Sequence, residues 1–129
     1  MSGRWHERGQ ATVEAALVLP LVVLLVLAIV QVGLLVRGEV LVTHAAREAA
    51  RAAAVDADPE APVRAATSAT TLDPERMAVQ VHGRDGPGSR VQVEVTYTAA
   101  TDVPLVGGLI GDVTLHASAT MRVEGNDSR

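Results

Sequence analysis

The sequence predicts an α+β protein in which a long N-terminal transmembrane helix continues into an alanine-rich helix and is packed by a small three-stranded antiparallel sheet. Three observations predict this fold class. Residues 15–36 form an uncharged apolar run, alanines then recur at helical spacing as far as about residue 55, and three later segments alternate apolar with polar side chains.

Composition limits the possible classes of protein. A chain of 129 residues has room for one small domain beside the apolar run. It contains no Cys, which excludes disulfides, thiolate metal sites and a Cys nucleophile. Because the net charge is −4, nucleic-acid binding finds no electrostatic support. We therefore expect neither a nucleic-acid partner nor a thiolate metal site.

The run from Ala15 to Val36 has the length and composition of a membrane span. Its 22 uncharged residues would extend about 33 Å as a helix, which matches the hydrocarbon core of a bilayer. A secretory signal peptide has a shorter apolar region, of about 7 to 15 residues, and in that case the mature chain would begin well after Val36. A buried helix of a soluble core is a weaker alternative, because so small a domain cannot surround it.

Two further features of the apolar run concern its shape and its orientation. Pro20 lacks an amide hydrogen and leaves the carbonyl of Ala16 without its helical partner, so we predict a kink at this point. Arginines lie on both sides of the run, at positions 4 and 8 before it and at 37, 47 and 51 after it. Charge alone therefore leaves the topology open.

After Val36 the helical pattern continues to about Val55. Alanines at 45, 49 and 53, with others at 46, 50 and 54, form a stripe of small side chains that allows close approach of a sheet or helix. A solvated face is predicted for the polar side chains of the other side, with a partner-binding strip as the alternative: His44, Arg47, Glu48 and Arg51. Pro59 then breaks the pattern, and a second helix is possible from about Ala61 to Thr71.

Three segments alternate as strands that have one buried and one wet face. They are residues 77–82, 91–98 and 113–124. The residues Asp85-Gly86-Pro87-Gly88 have turn chemistry and predict a hairpin between the first two strands. The strand order stays undecided, because all three segments present one apolar face.

The connection between the last two strands contains an uncharged apolar stretch, residues 103–111, that is too rich in Gly and Pro for regular structure. We interpret it as a loop folded over an open sheet edge, or as a contact with the membrane surface or another subunit. His82 and His116 could meet on the polar face of the sheet, but without an acidic or thiolate cluster they are better interpreted as polar surface residues.

A short motif precedes the apolar run. Arg8-Gly9-Gln10-Ala11-Thr12-Val13-Glu14 places a carboxylate five positions after a glycine. It resembles the type IV prepilin signal, which implies that a prepilin peptidase cuts after Gly9 and makes Gln10 the new N-terminus. Glu14 would then pair with the α-amino group of a neighbouring subunit and set the axial register, because an unpaired carboxylate at the edge of hydrocarbon is costly. Alternatively, Glu14 only sits favourably near the positive end of the helix dipole.

The order of several stretches narrows the resemblance. The run Val13-Glu14-Ala15-Ala16-Leu17-Val18-Leu19-Pro20, the alanine-rich stretch 45–54 and the tail 117–124 are similar to the TadE-like proteins of tight-adherence, Flp-type pilus systems. The resemblance implies a pilin-like lollipop shape and a minor pilin or pseudopilin that is not an enzyme. Its implied partners are the prepilin peptidase, other pilin subunits, inner-membrane platform proteins of the system and membrane lipid, with no cofactor and no small-molecule substrate. Gln10 departs from the aromatic or Met residue of classical type IV pilins, which puts N-methylation in doubt.

On this basis the chain is expected to divide into a cytoplasmic leader at 1–9, a transmembrane helix at 10–36 and an extracytoplasmic α+β domain at 37–129. The functional alternative is a permanently anchored adaptor that recruits pilus or secretion components and never enters a filament. Recovery in sheared pili distinguishes a filament subunit from such an adaptor.

Overall fold

The computed structural model describes the backbone of residues 4–125 and the side chains of residues 9–125. Its dominant element is a single helix, α1, which runs from Arg4 to Val55 without interruption. The apolar run and the alanine-rich segment are therefore one continuous helix, as predicted. The helix also continues through Pro20, and the kink at that residue stays a prediction. The first three residues of the expected leader lie outside the described part of the chain.

A short connector links α1 to the second helix, α2, which spans Ala61–Ser68. In the connector, Asp56 accepts a hydrogen bond from the amide of Asp58, and Asp58 accepts one from the amide of Glu60. These two Asx turns reverse the chain before Pro62, so that α2 packs back against α1.

The predicted second helix is three residues too long at its C-terminal end. The hydroxyls of Thr67 and Ser68 bond to carbonyl oxygens three or four residues earlier, which competes with continuation of the helix. The chain then bends so that Leu72 packs against the core, and a 3-10 turn at Pro74–Arg76 leads into the first strand. Asp73 caps this turn by accepting from the amide of Glu75.

The sheet has the strands β1 (Met77–His82), β2 (Arg90–Ala99) and β3 (Val113–Arg122). Both neighbouring pairs are antiparallel and β2 is central, so the order left open by the sequence is β1-β2-β3. The predicted strands and the hairpin between the first two are confirmed, with ends that differ by one or two residues.

The core forms where the sheet lies across the alanine-rich half of α1. Small helix residues from Val42 to Ala54 meet the buried side chains of β2, Val91, Val93 and Val95, and α2 adds Ala66. Cross-strand pairing places Ala119 and Val81 on either side of Val93, although Val81 on the edge strand is still 39% exposed. With no Phe in the chain, close approach of alanine and valine surfaces replaces large side chains as the main source of packing.

The expectation that residues 103–111 contain no regular structure is wrong in part. One helical turn, α3, spans Gly107–Ile110. Its first residue is held against Thr101, since a Cβ at Gly107 would lie 2.0 Å from the carbonyl oxygen of that threonine. The glycine therefore allows the two backbone segments to approach closely, and it is compatible with a helical turn.

Candidate assembly and processing site

The residues of the prepilin-like motif lie on one side of a regular helix. Gly9, Gln10 and Glu14 all belong to α1 and all are exposed. Gln10 and Glu14 are four residues apart, which places them on the same face about 6 Å apart along the axis. A Cβ added at Gly9 would meet nothing within 4 Å, so the glycine is not required there by packing within the described chain.

Glu14 stands where the polar end of α1 gives way to the apolar run. Among the described side chains it makes no ion pair. A carboxylate at the edge of hydrocarbon is costly unless water, the helix N-terminus or another molecule stabilises it. The arrangement can thus accept a cation from outside the chain.

The membrane-length part of α1 is bare over most of its circumference. Between Val13 and Val36 the large apolar side chains that face outward are 43% to 74% exposed. This helix is long and apolar enough to cross a membrane, and within the described residues it is the one that meets this test. An exposed apolar surface of this size is typical of segments that contact lipid or other subunits.

Near the C-terminal end of the same segment one position, Gln31, is covered, which the sequence did not indicate. Gln31 is only 3% exposed, although its neighbours Val30 and Val32 are about half exposed. Gln31 lies seven residues before Gly38, which is also buried, and both continue the stripe of α1 that faces the sheet. The Oε1 atom of Gln31 has no hydrogen-bond partner among the described residues. The signal in the sequence for the burial of Gln31 was its helical spacing, since Leu27, Gly38 and Val42 follow the same face of α1 at intervals of three or four residues or their sums.

The polar side chains of the alanine-rich half point outward, which fits both the predicted solvated face and the alternative of a partner-binding strip. His44, Arg47 and Arg51 are exposed and Glu48 is half-buried. His82 and His116 do not meet, because His82 pairs with Gln92 on β2 whereas His116 lies beside Thr96, four residues further along that strand. Within the described residues no group of three or more His, Cys, Asp or Glu side chains is placed to hold a metal.

Two open grooves flank the head. One, of about 520 Å³, lies at the end nearest the apolar run and is lined by Arg37, Arg76, Tyr97 and Asp102 among others. The other, of about 650 Å³, lies at the far end beside Arg84 and Glu124. Both mix acidic, basic and apolar side chains, so neither presents a concentrated charge for a particular ligand.

An ion pair stabilises the turn between the two main helices. The guanidinium of Arg64 lies 2.6 Å from a carboxylate oxygen of Asp58, and both side chains are exposed. The amide of Glu60, first, and then Arg64 stabilise the charged form of Asp58, which lowers its pKa below the ordinary aspartate value. The pKa of Arg64 is raised in return.

Comparison with known families gave one informative match. The model of the family described as "TadE: TadE-like protein" matches residues 9–51, which include the prepilin-like motif, the bare apolar segment and most of the alanine-rich segment. Neither the search of curated proteins nor the search of solved structures gave a match. The resemblance to TadE-like proteins is thereby confirmed over residues 9–51, whereas the similarity of the tail 117–124 lies beyond the match.

Proposed function

We propose, taking the TadE-like character of residues 9–51 as the premise, that this chain is a minor pilin or pseudopilin of a Flp-type, tight-adherence pilus system. One observation carries the proposal. The family match begins at Gly9, the residue at which the prepilin-like motif predicts cleavage, and it covers the whole bare apolar segment of α1. The TadE-like family points to pilus systems of this kind in general, and the specific role as a subunit is our inference.

In this role the apolar half of α1 holds the chain in the membrane before assembly. The N-terminus lies in the cytoplasm, where a prepilin peptidase cuts between Gly9 and Gln10, and the α+β head lies outside. Glu14 then pairs with the α-amino group of Gln10 in a neighbouring subunit. The chain contributes structure and register, and it catalyses no reaction.

The processing step is tested by the intact mass of the protein extracted from membranes of its native host. The proposal expects a chain that begins at Gln10, and it expects the variant Gly9→Leu to keep residues 1–9. Gly33→Leu is the matched control, because Gly33 also lies in α1 with open space around it. A chain that keeps residues 1–9 in the unmodified protein would overturn the processing role of Gly9.

The register role of Glu14 is tested by Glu14→Gln, which removes the charge and keeps the size. Breaking one side of a desolvated ion pair costs about 3–5 kcal/mol, so recovery of the protein in sheared pili should fall at least about tenfold while cleavage at Gly9 is retained. Glu39→Gln is the matched control, because Glu39 is exposed on α1 beyond the apolar run. Equal recovery of both variants would mean that Glu14 does not set the register and only lies favourably near the positive end of the helix dipole.

One outcome would favour the anchored adaptor, and a second would overturn the placement of the head outside the membrane. If the cleaved protein stays in the membrane fraction and is absent from sheared pili, it recruits components without entering the filament. If a single Cys replacing Ser118 on β3 is protected from a membrane-impermeant thiol reagent in intact cells, the head does not lie outside the membrane. Because the chain has no Cys of its own, the label reports that site alone.

A further inference from the structure

The connection between β2 and β3 lies at the end of the sheet that faces the apolar run. Ala99 and Val113 are paired, so residues 100–112 protrude beyond the last rung of the sheet. This rung lies beside the boundary of the run, because Leu115 contacts the helix at Gly38. At the opposite end of β3, the amide of Glu124 donates to the carbonyl of Ala54. The sheet thus runs along α1, and its β2–β3 loop (residues 100–112) points toward the N-terminal half of the helix.

The burial of Gln31 shows how far this covering extends. Seven residues of helix separate Gln31 from Gly38, a rise of about 10 Å. A side chain on a bare helix cannot be 97% covered by its own helix when both flanking residues are open, so another segment must lie on it. The β2–β3 loop leaves the sheet at this level, and its residues Ala100 and Asp102 line a groove together with Leu34 of α1, so the loop reaches past Val36 alongside the uncharged run.

The β2–β3 loop has an inner and an outer apolar side. Val103 and Val106 are buried, whereas Leu105, Leu109 and Ile110 are 67%, 85% and 56% exposed. Exposed side chains of this size on adjacent positions cost free energy in water. Leu105 even adopts a left-handed backbone conformation with φ 68°, which is a strained state for a residue with a branched side chain.

Charges mark the boundary of this apolar tip. Between the exposed acids Asp102 and Asp112 the loop carries no charge. Asp102 lines the same groove as Arg37, the residue at which the uncharged run of α1 ends. The β2–β3 loop and α1 therefore change from charged to apolar at the same level, that of Asp102 and Arg37. The apolar surfaces of the two lie side by side on the N-terminal side of this level.

The backbone of the tip satisfies much of its own hydrogen bonding, as a segment placed in hydrocarbon requires. The amides of Gly107 and Gly111 donate to the carbonyls of Val103 and Gly107, and those of Leu109 and Ile110 donate to Val106. The hydroxyl of Thr101 donates to the carbonyl of Gly111. A loop in water does not need these internal hydrogen bonds, because water satisfies its amides and carbonyls.

We propose that the β2–β3 loop inserts its apolar tip, through Leu105, Leu109 and Ile110, into the lipid leaflet beneath the head. The tip fastens the head to the bilayer surface next to α1 and screens Gln31 from hydrocarbon. This inference rests on the membrane placement of α1 that the proposed function includes, and the test separates the two.

The test uses the full chain with Trp5→Phe, reconstituted in phosphatidylcholine vesicles with or without bromine on the acyl chains. Single tryptophans are introduced as Leu109→Trp at the tip, Val30→Trp on the exposed side of α1 at the depth of Gln31, and Val81→Trp on the edge strand of the head. Ile110→Trp is a second tip probe. The side chains at the four positions are 39% to 85% exposed, so the larger ring can extend outward.

We expect both tip probes to be quenched by brominated lipid as strongly as the probe at position 30, and the probe at position 81 to be unaffected. If position 30 is quenched and the tip probes are not, the loop proposal fails while the membrane span stands. If the tip probes emit as in an apolar environment without bromine quenching, a protein surface covers them and the lipid proposal fails. If position 30 is also unquenched, the membrane placement itself is wrong.

Discussion

The contact between Gly38 of α1 and Leu115 of β3 positions the sheet on the helix, and its strength can be worked out from the structure. A Cβ built on Gly38 would lie 2.7 Å from the Cδ1 atom of Leu115, whereas ordinary contacts begin at 3.4 Å. The variant Gly38→Ala must therefore displace a buried leucine by about 0.7 Å or force its rotamer to change. We expect this overpacking to cost about 1–3 kcal/mol.

The helix itself gains from the same substitution, because alanine is a better helix former than glycine by about 1 kcal/mol. Gly33→Ala makes the same replacement in α1 without a steric contact, since a Cβ at Gly33 meets nothing within 4 Å. The free energy of opening of the head should thus be about 1–3 kcal/mol lower in Gly38→Ala than in Gly33→Ala. Any effect common to the two glycine-to-alanine replacements in α1 cancels in this difference, and the steric contact at Gly38 remains.

Amide hydrogen exchange of β2 in detergent micelles measures this difference, because the central strand bonds to both neighbours. The amides of Val93 and Val95, whose side chains are fully buried, report opening of the sheet. A second pair of variants adds Leu115→Val, which removes the clashing carbon. In that background Gly38→Ala should lose its penalty relative to Gly33→Ala. Equal exchange in the two alanine variants, or a penalty that survives Leu115→Val, would refute the assigned contact.

Three further predictions concern stability. Gln31→Leu should raise the unfolding free energy measured by the same exchange experiment by about 1 kcal/mol, because it removes a buried acceptor that lacks a partner; a loss of stability would indicate a hydrogen bond to Gln31. Val93→Ala should cost about 2 kcal/mol through the cavity it leaves, whereas Val81→Ala on the exposed edge should cost much less. The Glu60 amide and Arg64 lower the pKa of Asp58 in the folded state. The ionised Asp58 therefore stabilises the fold above the ordinary aspartate pKa, about 4, and this stabilisation is lost as the pH falls through the lower folded value. In urea titrations at a series of pH values, Asp58→Asn should remove this acid-dependent loss of stability.

The helices and strands were predictable because their signals are local. Alternation identified each strand and its inner face, and the uncharged run with the following alanines identified α1. Strand order was not predictable, because three strands with equivalent apolar faces bury the same surface in any order. The turn α3 was missed for a related reason: Gly107 reads as a breaker in sequence, and the carbonyl of Thr101 that requires a glycine there is brought near only by the fold.

The candidate site divides in the same way. Gly9, Gln10 and Glu14 are neighbours along one helix, so their relation follows from sequence spacing and helix geometry. Gln31 looked like an interruption of an apolar run, and its burial became apparent only in the folded structure. A residue whose role arises from distant packing leaves only a weak periodic trace, here the spacing from Gln31 through Gly38 to Val42.

The bare half of α1 also bears on how the proposed assembly is specified. Its outward surface is almost wholly Leu, Val, Ile and Ala, and lipid tails are as apolar as these side chains. Moving the helix from lipid into a filament therefore yields little hydrophobic free energy, and a smooth apolar surface does not distinguish one axial offset from another. The selectivity has to come from groups that differ in the two environments. In the apolar half these are the charge of Glu14 near its start and the covered stripe at Gln31 near its end, which is why a neutral residue at position 14 should disturb register more than membrane binding.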